Sequence, residues 1–232
     1  MTAGAVVRAA DLPAGYGVRT LIECGQPGLV RRHADLPPGA RLDGSAGPGG
    51  ELWFVIGGQG SIDLGGQPGT ALTADRGLWL PGGAGYRLRA GDDAGLRLDM
   101  VELPAAGQRP ADLGGPIVRD LADCEVEVTG DRQFRVLFGP ERGCSSATQF
   151  VGEIPPGRAP DHAHPYDEVV LVLQGDGVVH MGGSRHALSP GTCTHLPPGL
   201  VHCLENTGHA TMRVLGVFHP ADSPAAKLAH GR

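Results

Sequence analysis

Two stretches of the chain carry unbroken apolar runs, ELWFVI at 51–56 and EVVLVL at 168–173, each stopped by glycine. Runs this short lack the ten or more residues and the 3.6-residue period of a helix, so each predicts a strand. The segments that follow, GQGSIDLGG and GDGVVHMGG, predict the second strand of a hairpin in each place, entered and left through glycine turns. A strand apolar on both faces must be covered on both. One face can line a barrel interior; the other needs a partner copy or a second subunit.

These runs belong to a larger repeat. ADLPPGA (34–40) is similar to GEIPPGR (152–158), ELWFVIGGQGSIDLGG (51–66) to EVVLVLQGDGVVHMGG (168–183), and GLWLPGGAGY (77–86) to THLPPGLVH (194–202). The offset is 118 from Pro37 to Pro155, 117 from Glu51 to Glu168 and 116 from Pro81 to Pro197. An offset this constant through three segments indicates one duplication with single-residue deletions in loops. Residues 104–117, PAAGQRPADLGGPI, are rich in proline and glycine and form the expected linker. The expected layout is therefore an N-terminal unit 1–103, the linker, a C-terminal unit 118–220 and a tail 221–232.

Composition fits this picture. The chain has 232 residues, enough for one large or two small cores. Its 39 glycines and 20 prolines follow no collagen-like period, which favours many short elements joined by tight turns. The fold class expected is all-β. At a net charge of −6, with basic residues scattered, the chain offers no footprint for nucleic acid. No apolar run approaches the roughly 18 residues that span a bilayer. The opening residues lack a basic start followed by an apolar stretch. Five cysteines, odd in number and without a CxxC pair, predict reduced thiols in a cytoplasmic protein.

The chemistry lies in the second copy. His162 and His164 are two apart, so on a strand both rings face the same way. Glu168 follows the turn Pro165-Tyr166-Asp167, and His202 follows a proline-glycine turn that can return a distant strand to the same interior. Three imidazoles and a carboxylate suit Fe, Mn, Ni, Cu or Zn. The absence of cysteine ligands argues against a tetrathiolate zinc site.

The two blocks that hold these residues, G-RAPDH-A-H-PYD-E-VVLVLQ-G (157–175) and G-TCTHL-P-P-G-LV-H-CLE-N (191–206), resemble the two motifs of the cupin superfamily at every fixed position. The resemblance covers 118–220 well and 18–103 more faintly, which makes the chain similar to a bicupin. It implies two tandem jelly-roll (double-stranded β-helix) barrels, with His162, His164, Glu168 and His202 holding one divalent transition metal per chain, Fe or Mn first and Ni, Zn or Cu as alternatives. It also implies a homodimer and a small-molecule substrate. The expected function is a metal-dependent enzyme acting on a small oxygen-bearing metabolite, as a dioxygenase. The alternatives are a non-redox Lewis-acid enzyme (isomerase, decarboxylase, lyase or ureidoglycine-aminohydrolase-like) and a non-catalytic small-molecule binder.

In the first copy Ser45, Gly47 and Tyr86 stand where the histidines would be, and Glu51 alone survives. The N-terminal copy is therefore expected to be metal-free, with Trp53, in phase with Glu51, filling the space of a cavity. Around the C-terminal quartet, His195 and Tyr166 are the expected catalytic side chains, each with an ordinary structural role as the alternative. Arg158 is the expected substrate-binding cation, with a surface role as its alternative.

Overall fold

The computed structural model describes residues 4–8, 11, 15–25, 28–64, 66–105 and 117–225. Among them there is no α-helix, and no helix is long and apolar enough to cross a membrane. The chain is all-β. It divides into two compact units, residues 14–124 with 140–146, and residues 1–13 with 125–139 and 147–232.

The strands up to the middle of the chain are β1 (Ala5–Val7), β2 (Gly17–Gly25), β3 (Gly28–Leu36), β4 (Arg41–Ser45), β5 (Glu51–Leu64), β6 (Gln67–Thr73), β7 (Arg76–Leu80), β8 (Gly85–Ala90), β9 (Leu96–Glu102) and β10 (Ile117–Asp120). They continue with β11 (Glu127–Thr129), β12 (Arg132–Phe138), β13 (Thr148–Ile154), β14 (Gly157–Arg158), β15 (Asp167–Gln174), β16 (Gly177–Met181), β17 (Ser184–Leu188), β18 (Cys193–Leu196), β19 (His202–Asn206) and β20 (Met212–His219).

In the first unit the sheet runs β10-β7-β5-β9-β3-β2, with β6 and β8 on the far half of β5 and β4 on β8. The 14-residue β5 serves both halves. Glu51–Phe54 pair with β7, and Gly60–Leu64 with β8. A glycine-rich middle, Gly57 to Gly60, carries the strand from one group of partners to the other. The expected hairpin at 51–66 is thus one continuous strand. The apolar run itself behaves as expected: Leu52, Trp53, Phe54 and Val55 are all fully buried, each contributing about 1.5–3 kcal/mol. Arg31 on β3 and Asp99 on β9 form a fully buried pair, Nε–Oδ1 2.7 Å and Nη2–Oδ2 2.9 Å, whose bidentate geometry offsets the cost of taking both charges out of water.

Trp53 sits where the repeat comparison expects a filler. Its ring meets Tyr86 edge-on at 4.7 Å, and its Nε1–H donates to Glu51 Oε2 at 2.6 Å. The other Glu51 oxygen accepts from the Gly47 backbone N–H at 3.0 Å. Both oxygens of the surviving carboxylate are engaged by its own unit.

The second unit has a seven-stranded sheet, β1-β18-β15-β20-β13-β12-β11, and a four-stranded sheet, β14-β19-β16-β17, with every pairing antiparallel. The second expected hairpin is also absent. β15 pairs with β18 and β20, whereas β16 pairs with β17 and β19 in the other sheet. Gly175, at φ +86°, turns the chain across from sheet to sheet instead of back along β15. The two sheets bury a common core: Ile154, Val170, Leu196, Met212 and Val214 from the larger, Val179, Met181 and Leu188 from the smaller. Gly216 on β20 leaves room for the Phe150 ring, which an added Cβ would overlap. Gly216→Ala is expected to cost about 1–3 kcal/mol through displacement of that ring, measurable by thermal or urea unfolding.

The unit boundaries differ from those expected. β1, at the head of the chain, pairs with β18 through Ala5–His195 to Val7–Cys193, and β10 pairs with β7 in the first unit. Most of the expected linker (106–116) and the end of the tail (226–232) lie outside the described residues. No disulfide joins the five cysteines, and all five are buried.

Candidate metal centre

The second unit assembles its polar residues through backbone contacts that the motif spacing encodes. His162 and His202 face each other in an isolated antiparallel bridge, with N–H···O distances of 3.0 and 2.9 Å in the two directions. The turn before His202 closes through Leu200 N–H to Pro197 O and needs Gly199 at φ +75°. The Gly199 N–H then donates to the His164 carbonyl at 2.9 Å, tying the two motifs together. Asn206 finishes β19 by donating to Ile154 O and Ala210 O, each at 2.8 Å, and accepting from the Gly208 N–H.

Donor atoms of His164, Glu168 and His202 all lie within 4.8 Å of one another. His164 Nε2 stands 2.9 Å from Glu168 Oε2. Two donors bound to one ion at about 2.1 Å and at right angles would be about 3 Å apart, so this pair fits adjacent positions on a metal. His162 adjoins the trio without belonging to it; its ring is 4.4 Å from that of His202 and 6.4 Å from that of His164.

Each imidazole is oriented from behind by a backbone carbonyl. Nδ1 of His162 lies 3.2 Å from Pro160 O, that of His164 2.8 Å from Tyr166 O, and that of His202 2.8 Å from Leu200 O. A carbonyl can only accept, so each Nδ1 carries the proton and Nε2 is the nitrogen available to a ligand. His164 Nε2 is buried and makes no hydrogen bond. Burial holds the His202 ring down to a pKa of about 4, leaving it neutral near pH 7. Burial pushes the Glu168 carboxyl up, but contact with His164 and the charges of all three imidazoles outweigh it and bring it below its ordinary value. A neutral His202 beside an ionised carboxylate is the pairing of protonation states a divalent cation needs.

The site opens on a cavity of about 210 Å³ whose walls include Phe134, Phe150, Ile154, Val170, Leu196 and Phe218. Tyr166 also lines it, buried in a column of rings: 4.2 Å from His164 at an 8° tilt, and 4.3 Å from Phe218 at 19°. Burial, then Glu168 and Asp222, raise the Tyr166 phenol well above its usual range, so it remains a neutral hydroxyl. Tyr166 is therefore placed to hold His164 with its ring and its carbonyl.

The other two expected side chains are not brought to the cavity. His195 neighbours Leu196 on β18, so the alternation that turns Leu196 inward turns His195 to the opposite face, where Nε2 lies 2.8 Å from Asp167 Oδ1. His195→Gln is expected to leave metal content unchanged by elemental analysis and to lower stability by about 1 kcal/mol. Arg158 is exposed and engaged by Cys203 Sγ at 3.3 Å and Asp161 Oδ1 at 2.8 Å. The sequence reading missed Arg132, which does line the cavity. Its signal was the alternation on β12 that places it in phase with the buried Phe134.

Residues 150–218 match the family model for the cupin domain. The match supports the cupin superfamily. The matched segment lies within the second unit and includes all four candidate ligands. Auxin-binding protein T85 of Nicotiana tabacum is 34% identical over 120 residues, which is 45% of this chain and 64% of that protein. The chain thus spans less than two thirds of this relative. Among solved structures, the putative glyoxylate-induced protein of Pseudomonas aeruginosa superposes with a TM-score of 0.79 at 16% identity, covering 100% of this chain and 91% of the other. An oxalate decarboxylase of Bacillus subtilis, a protein with Mn(II) centres, superposes with a TM-score of 0.68 at 13% identity over 97% of this chain and 74% of its own. At these identities the structural likeness speaks for the fold alone.

Proposed function

We propose that the chain is a bicupin, two tandem jelly-roll barrels, that binds one divalent transition metal in its second unit through His162, His164, Glu168 and His202. We further propose that it is a metal-dependent enzyme acting on a small oxygen-bearing metabolite. The observation that carries this reading is the set of three imidazoles, each with Nδ1 held by a carbonyl, grouped with an ionised carboxylate beside a largely apolar cavity. Nitrogen and oxygen donors of this kind suit Fe, Mn, Ni, Cu or Zn, and such an ion supplies Lewis-acid or redox activation of bound oxygen atoms.

The chain's own residues then do the rest. Pro160, Tyr166 and Leu200 hold the imidazoles through their carbonyls, and the Tyr166–Phe218 stack fixes the His164 ring plane. The aromatic and aliphatic walls exclude water and leave room for a substrate of modest size. His195 lies on the opposite face of β18, and Tyr166 lines the cavity as a neutral hydroxyl that can donate a hydrogen bond but is no base near pH 7. Of the carboxylates lining it apart from Glu168, Asp131 is exposed and Glu153 is bound by Arg135 at 3.1 Å. A site with few proton-transfer groups favours dioxygenation over isomerisation or decarboxylation.

The test is elemental analysis of the purified protein, followed by oxygen-uptake measurements after reconstitution with each metal. The expected result is about one ion per chain and substrate-dependent oxygen consumption with iron. Full loading with manganese or zinc and turnover without oxygen would move the reading to Lewis-acid chemistry. Ligand binding with no turnover would favour the binding role named for the tobacco relative.

A further inference from the structure

One cation of the second unit has no place in the metal site and faces the same cavity. Arg132 opens β12 and shares the inward phase of Phe134; its side chain is only 20% exposed. Nη2 donates to Leu204 O at 3.1 Å. Its ion pair with Asp131 is long, Nε–Oδ1 4.0 Å, and the Asp131 side chain is 78% exposed. The two neighbouring arginines are committed elsewhere, Arg135 to Glu153 and Arg158 to Asp161 and Cys203. Burying a guanidinium beside aromatic rings with so distant a counter-ion is costly unless an anion completes it.

The backbone also sets the distance. Leu204, whose carbonyl Arg132 contacts, is two residues along β19 from His202, so their backbone positions are roughly 7 Å apart along that strand and the guanidinium lies beyond the first of them. Between them lie apolar walls that include Ile154 and Val214.

We propose that Arg132 anchors a substrate carboxylate, so that the cavity takes a small aromatic acid carrying a second oxygen at the end remote from the carboxylate. This inference rests on the metal-site reading above for the fate of that second oxygen, while the carboxylate contact is made by the protein alone. The planar fork of Arg132 would pair with both carboxylate oxygens, the apolar ring would lie against Phe134 and Phe150, and the far oxygen would reach the quartet.

The probes are 4-hydroxybenzoate and its uncharged isostere 4-hydroxybenzamide, titrated calorimetrically into the metal-loaded full chain, with metal content measured on every sample. The acid is expected to bind the native protein at least about tenfold more tightly than the amide. Arg132→Met, which keeps the length of the stem, is expected to abolish that preference while leaving amide affinity and metal content unchanged. Arg132→Lys is expected to retain part of it. Equal binding of acid and amide, no binding of the acid at millimolar concentration, or equal weakening of both by Arg132→Met would each overturn the proposal. If the protein fails to load metal yet prefers the acid through Arg132, the metal-site reading fails and the anchor stands. If metal loads normally and the preference is absent, the anchor fails and the metal site stands.

Discussion

Replacing His164 with alanine is expected to strip the protein of its metal and with it any metal-dependent turnover. His164 is the member of the trio with most to lose: Nε2 is buried 2.9 Å from Glu168, Nδ1 is fixed by Tyr166 O, and its carbonyl holds Gly199 at the turn before His202. Losing an outer partner of a metal ligand typically costs 10–100-fold in affinity, so losing the ligand itself should cost more than about 100-fold. Dialysis against a metal buffer followed by elemental analysis measures this directly. A ligand that binds only the folded state at 100 times its Kd stabilises by about 2.7 kcal/mol, so the native protein should melt higher with metal and the variant should not. Glu168→Gln supplies the companion measurement, because it keeps the shape of the side chain and removes its charge. Normal metal content in both variants would sink the assignment of the site.

The second large effect belongs to the other unit and concerns stability alone. Trp53→Ala is expected to destabilise the chain by about 3–5 kcal/mol through the cavity it leaves. A further loss of about 1–3 kcal/mol comes from stranding the buried Glu51 oxygen that Trp53 now satisfies. Trp53→Phe restores much of the volume but not the N–H, so the difference between the two variants separates packing from the hydrogen bond. Urea unfolding with an unchanged m-value is the measurement. Little change on Trp53→Ala would mean that the indole is not a filler and that this unit has some other use for the space.

How much of this was legible in the chain depends on what kind of fact is asked for. The gathering of His164, Glu168 and His202, with His162 beside them, was legible because the motif spacing sets the histidines two apart and returns His202 past a glycine turn, although His162 and His164 lie outside any strand. The strands at 52–55 and 169–172 were legible because only burial on both faces tolerates such runs. Their pairing was not. A glycine after an apolar strand permits a hairpin or a crossing to the other sheet equally well, and Gly175 takes the second course. His195 was misplaced for a related reason: next to Leu196, a single step of alternation decides which side of β18 a residue faces. Arg132 carries no motif, and its inward position follows from the phase of β12 together with the hydrogen bond it donates to a carbonyl 72 residues away.

The pairing of β1 with β18 has a consequence for biogenesis. Residues 5–7 are made well before the residues they pair with, 193–195. The second unit cannot close until β18 has been made, and β1 must wait, unpaired, through the synthesis of everything between them. Closure over so long a separation is a slow, late event in folding. Once β18 is made and until β1 docks on it, β18 presents an open edge, the kind of surface that recruits other chains. Until β1 is docked, newly made chains are at their most exposed to one another.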